Sequence, residues 1–264
     1  MFNYIKADLY RLFHKKSNFV FYGVVFALFI AVVIIARTSV EGTTPFAEGY
    51  LQLGIILLTQ FFPLVFGIQA YVAVYTNDLS ANTYQNIFTN GLSKVEFIIG
   101  KVITMIVYLL TTFLSGAILY SIMYVILLMI EGGSFDFGSF KNLAIVSVTI
   151  FLGILGYSTV ANILAYFTQN STISVISMGV LVSGVILQIF NLISLFTDKI
   201  EFLREYTLSY HMNEATNGMM PTILGGEASY SASFLAWGVA LIYLIVASVI
   251  GVVILNKIEI KEGK

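Results

Sequence analysis

Cysteine is absent from the chain, proline occurs three times, tryptophan once and histidine twice in 264 residues. Without cysteine there is no disulfide framework and no thiolate-held metal. The histidines, His14 and His211, fall on opposite sides of the topology derived below, so they cannot form a paired metal site or an H-E-x-x-H motif. Charge is scarce as well. Only 10% of residues are Asp, Glu, Lys or Arg, against roughly 25% in a soluble domain. The net charge of −1 is the sum of two opposed faces, and no basic patch with interleaved aromatics points to nucleic acid.

What fills the chain instead is apolar sequence, 58% of it. Six stretches contain no ionisable residue: 18–36, 51–75, 102–130, 143–167, 172–197 and 234–255. Each is close to or above the roughly 20 residues that carry a helix across about 30 Å of hydrocarbon. They are too long for barrel strands of about 9–11 residues. The expectation is an all-α integral membrane protein with six transmembrane helices in one domain spanning 1–264. The first run exceeds a signal-peptide core, and Ala36-Arg37-Thr38 is a poor cleavage site, so it reads as a retained span.

Nine of the 13 Lys and Arg residues flank or join the spans on the amino-terminal side, and nine of the 14 acids fall on the other. Cytoplasmic loops carry the basic excess, so both termini are expected in the cytoplasm. Residues 1–17 place Phe2, Ile5, Leu9, Leu12 and Phe13 at helical spacing, as in an amphipathic helix lying in the headgroup region. The loop 198–233 is the longest polar segment on the outer side, large enough to shape the mouth of a pathway.

The most structured polar passage runs from Tyr75 to Lys101, with a loop at 76–94. Leu79, Tyr84, Ile87 and Phe88 gather on one side of a short helix. Asn90-Gly91 stops it, because these residues tolerate a left-handed backbone. Ser93 and Glu96, three apart, form a capping box that starts the next helix. A short helix joined rigidly to a span can act as a lever.

None of the six runs holds the ionisable group that an ion-coupled transporter keeps in the bilayer. Nor is there a motor. A P-loop needs G-x-x-x-x-G-K-[ST], and around Gly100-Lys101 the first glycine is replaced by Val95 and the hydroxyl by Val102. Ser158 in Gly156-Tyr157-Ser158-Thr159 has no histidine in any span to activate it. No catalytic residue, no metal site and no cofactor bound by this chain is expected. Neutral polar residues do occur in phase. Ser174, Ser177, Gly184, Gln188 and Asn191 keep within roughly 100° of arc along span five. Thr59, Gln60, Pro63, Gly67 and Ala70 do so along span two, where Pro63 should kink the helix. Helix packing and pathway lining both fit these stripes, with Gln60, Pro63, Ser177, Gly184, Gln188 and Asn191 the lining candidates.

Asp78 after span two, Thr83, the run Asn90-Gly91-Leu92-Ser93-Lys94, and Gly100-Lys101 entering span three together resemble the permease subunits of ABC-2 type ABC transporters. Where this family commonly has Glu and Gly, this chain has Asp78 and Asn82. The size and tyrosine content look closest to permeases of Gram-positive lantibiotic immunity and peptide export. The resemblance implies a coupling helix over 78–90, with Asp78, Leu79, Thr83, Tyr84, Ile87, Phe88 and Gly91 at a separate P-loop ATPase subunit present in two copies. ATP and magnesium would be held by that subunit. It also implies a second permease chain, identical or paralogous, a bacterial cytoplasmic membrane, and an exported hydrophobic or amphipathic substrate such as an antimicrobial peptide. A different class fits the same residues: a membrane sensor or scaffold whose loop binds a non-ATPase cytoplasmic partner.

Overall fold

Regular structure in the computed structural model, which describes residues 1–39, 46–76, 78, 87–132, 134–194, 196, 201–221 and 227–257, is helical, with no strand among those residues. Of the expected docking residues, Leu79, Thr83 and Tyr84 lie outside this set. The amphipathic start is α1 (Phe2–His14). Lys15 leaves helical geometry at ψ 110, and α2 (Lys16–Ser39) follows as the first long apolar helix.

Four helices among the described residues are long and apolar enough to cross a membrane: α2, α5 (Lys94–Glu131), α6 (Phe137–Thr168) and α11 (Ser231–Lys257). Two further candidate crossings are bent pairs, so the described residues of this membrane protein hold four to six candidate spans. In the first pair, α3 (Phe46–Ile56, continued in wider π turns over Leu57–Phe61) meets α4 (π turns over Pro63–Gly67 and Val72–Thr76 around Ile68–Tyr71) at 41°. This is the bend expected at Pro63. Proline lacks the donor for the preceding turn, and the helix widens, with Phe62 N–H donating to the carbonyl five residues back, Leu57.

Span five departs from the expected single helix. α7 (Ser171–Val182) and α8 (Val185–Ser194) are bent by 57°. Gly184 takes φ +71, a conformation only glycine adopts at little cost, while Ser183 N–H and Gly184 N–H close the preceding helix onto Gly179 and Leu181. The polar stripe drawn through Ser177, Gly184, Gln188 and Asn191 therefore does not hold one face from end to end, because its 100° phase assumes an unbroken helix.

The segment expected as an outer loop contains α9 (Glu201–Glu205) and α10 (Leu208–Met219). The face made by Leu208, Met212, Ala215 and Met219 is buried against α6 and α11. A Cβ added to Gly156 would sit 2.7 Å from Leu208 Cδ2, so the two helices are in closest contact near the middle of α6. Tyr243, halfway along α11, donates to the Tyr206 carbonyl at 2.6 Å. The segment thus reaches about half the height of the bundle instead of staying at its rim.

The bundle has two distinct ends. At one, Phe97 and Ile98 of α5, Ala165 and Tyr166 of α6 and Leu255 of α11 form a small core against Tyr4 of α1, with Ile87 and Phe88 packed on it. At the other, Val33, Tyr50, Leu51, Tyr124 and Leu127 form a second core.

Candidate functional site

Hydrophobic burial explains how the first end is assembled. In α1 the buried positions are Ile5, Asp8 and Leu12, spaced three and four apart on one face. An aspartate thus stands where an apolar residue belongs. Its partner comes from the second turn of α5, where Lys101 is 1% exposed.

Lys101 has three protons to donate, and each is used. The ammonium donates to Asp8 Oδ2 at 2.7 Å, to the Val74 carbonyl at 2.8 Å, and to Asp78 Oδ2. Arg11 closes the group from α1, with Nη2 2.5 Å from Asp8 Oδ1 and Nη1 3.5 Å from Asp78 Oδ1. Asp8 is 6% and Asp78 5% exposed. Two cations and two anions balance, which is the condition under which charges tolerate burial. The Tyr4 hydroxyl faces Asp78 at 3.5 Å, and its pKa is pushed up by burial and by the charges of Asp78 and Asp8.

One ammonium therefore ties three segments together: α1, the residues that end α4, and the start of α5. The adjoining connection is firmly shaped where it is described. Gly91 takes φ +90 and turns the chain after Ile87–Thr89. The Ser93–Glu96 capping box forms as expected, with Glu96 N–H donating to Ser93 Oγ at 3.2 Å and Ser93 N–H to Glu96 Oε2 at 3.1 Å.

The expected docking residues divide accordingly. Asp78 is a buried partner of Lys101, not part of an outward surface. Ile87 and Phe88 are half-buried against the chain's own core, Phe88 meeting Phe97 edge-on at 5.3 Å. Gly91 is exposed at the turn. Asp8 and Arg11 were missed by sequence reasoning, which placed Lys101 in the Gly100-Lys101 pair entering span three but not in a buried charge cluster. The signal available was an acid on the apolar face of α1, whose lysine partner lies 93 residues away in sequence.

Two neutral polar threads lead inward from this joint. In one, Asn18 donates to the Leu12 carbonyl at 2.9 Å, Gln69 Nε2 donates to Asn18 Oδ1 at 3.3 Å and to the Tyr108 hydroxyl at 3.0 Å, and Tyr22 shares a proton with Thr112 at 2.7 Å. In the other, Tyr71 of α4 bridges Asn162 of α6 at 3.0 Å and Ser174 of α7. Of the pathway candidates, Ser177 is buried and donates to the Ser174 carbonyl at 2.7 Å, and Pro63 is buried in the bend. Gln60, Gln188 and Asn191 face outward, Asn191 accepting from Arg204 at 3.3 Å. Spans two and five do pack together, in the half where α7 lies on α4, but through Tyr71 and Ser174 and not through the glutamines.

Among the described residues no cluster of three metal-ligating side chains occurs. No family model, no curated protein and no solved structure matches the chain.

Proposed function

We propose that this chain is the membrane-spanning permease subunit of an ATP-driven exporter of the ABC-2 type. It works beside a second permease chain and is powered by a separate P-loop ATPase that docks on the connection between spans two and three. In this reading six spans place both termini in the cytoplasm of a bacterium, and the substrate is hydrophobic or amphipathic, such as an antimicrobial peptide.

The buried charge joint is the observation that carries the reading. A push on Asp78 or on the turn at Gly91–Ser93 meets residues tied to the rest of the bundle. Asp78 and Val74 are fixed to Lys101, Lys101 to Asp8, and α5 starts from a capped turn directly behind. A displacement there moves α1, α4 and α5 as one body, which is the mechanical requirement for a subunit driven from outside itself. The break at Gly184 adds support. Non-helical backbone at half the bundle's height is tolerated where it is covered by protein or lines water, and Asn191 and Arg204 meet just beyond it.

The test is copurification of the full-length chain from its native membrane with a P-loop ATPase whose turnover depends on it. Replacing Tyr84, in the docking segment, with glutamate should abolish capture of the ATPase while leaving the permease folded. Undiminished capture, or capture of a non-ATPase partner alone, would contradict the proposal and favour the sensor or scaffold.

A further inference from the structure

Beneath the charge joint, where α4 ends against α5, α6 and α11, lies a partly open cavity with room for a water-sized molecule. Tyr75, Thr159, Asn162, Tyr166 and Ser248 supply its polar wall, and Val102 and Ala247 part of the apolar one. Tyr75 is 3% exposed. Its hydroxyl stands near Asn162 and Ser158, yet hydrogen-bonds to no protein group. A buried hydroxyl left so is costly.

Several polar groups around the cavity have settled partners. Thr159 donates to the Gly156 carbonyl at 2.9 Å, and Ser248 to the Leu244 carbonyl at 2.7 Å. Asn162 Oδ1 receives the Tyr71 proton at 3.0 Å. Thr159 and Ser248 therefore have lone pairs and no proton to offer, and Tyr75 brings an unused donor. A group that both accepts and donates completes this set, with the Asn162 amide and the Tyr166 hydroxyl as further polar groups of the lining, and no carboxylate is present to hold a cation. Polar, roomy and multiply partnered sites of this kind are where buried water is found.

We propose that the cavity holds one ordered water molecule, accepting from Tyr75 and donating to Thr159 and Ser248, and so fastening the end of α4 to α6 and α11. This does not depend on the transport reading.

The experiment uses the full-length chain in lipid nanodiscs, followed by the fluorescence of Trp237, the only tryptophan. Tyr75→Phe keeps shape and should lower the unfolding midpoint by about 2–4 °C. A dry cavity would give an unchanged or higher midpoint, because an unpaired hydroxyl has been removed. Ser248→Ala should lower it too, and the double variant should fall by less than the two shifts added, since both residues act on the same water. Additive shifts would overturn the proposal. So would a midpoint that rises in sodium chloride over choline chloride at equal ionic strength, which would make the occupant a cation.

Discussion

The two ends of α5 hold the same kind of bond in different surroundings. At its start Lys101, 1% exposed, meets two buried carboxylates; at its finish Glu131 meets Arg37 at 2.7 Å, with side chains 15% and 40% exposed. Both join α5 to a helix that precedes it by many residues, α1 in one case and α2 in the other. The exposed pair can exchange its partner for water. The buried group cannot, so its value lies less in what it adds when whole than in what is lost when one member is missing. The difference marks the first end as the place where the chain demands a fixed geometry.

Breaking the buried side should therefore have the largest effect. Lys101→Met leaves the buried carboxylates of Asp8 and Asp78 with Arg11 as their one remaining cation, and should destabilise the chain by about 3–5 kcal/mol, read as a fall in the denaturation midpoint. At the same end, Ser93→Ala removes the cap from α5 and should cost about 1 kcal/mol by the same measurement. At the far end, Glu131→Gln weakens an exposed pair and one acceptor for the Ala47 N–H at 3.0 Å. Its effect should stay within about 1 kcal/mol. If it matched that of Lys101→Met, the contrast between the ends would be lost.

The smallest effect belongs to Asp136, the N-cap of α6. Hydrogen bonds from the Ser139 side chain and backbone hold its carboxyl below the usual carboxylate range. The folded chain thus binds this proton more weakly than the unfolded one. Its contribution is complete above about pH 5 and fades as the pH falls through the lowered value. Asp136→Asn should flatten this part of the acid limb in a titration of the midpoint and leave the Lys101 contribution untouched.

Features governed by local chemistry could be read from the sequence: the Pro63 bend, the Ser93–Glu96 box, the Gly91 turn and the amphipathic α1. Each needs only neighbours within a few residues. Asp8 was hidden because an acid near the terminus reads as solvent-facing unless its phase with Ile5 and Leu12 is weighed. Lys101 was hidden because a lysine at the edge of an apolar run reads as a topological flank. Gly184 reads in sequence as a small residue on a continuous face, since a positive φ leaves no trace in composition. The reach of α10 into the bundle depends on Gly153 and Gly156 receiving Met212 and Leu208 from more than 50 residues away, and no local pattern encodes that meeting.

Stability and transmission can be separated in a single comparison. Lys101→Met with Asp8→Asn restores charge balance around Asp78 and Arg11 but removes the ammonium link between α1 and α5, leaving their packing through Tyr4, Phe97 and Gly100. In the copurified complex, stability should return close to that of the unmodified chain while ATP turnover stays several-fold lower. If turnover recovered together with stability, the joint would be only a structural support, and its role in carrying motion from the docking segment to the spans would be wrong.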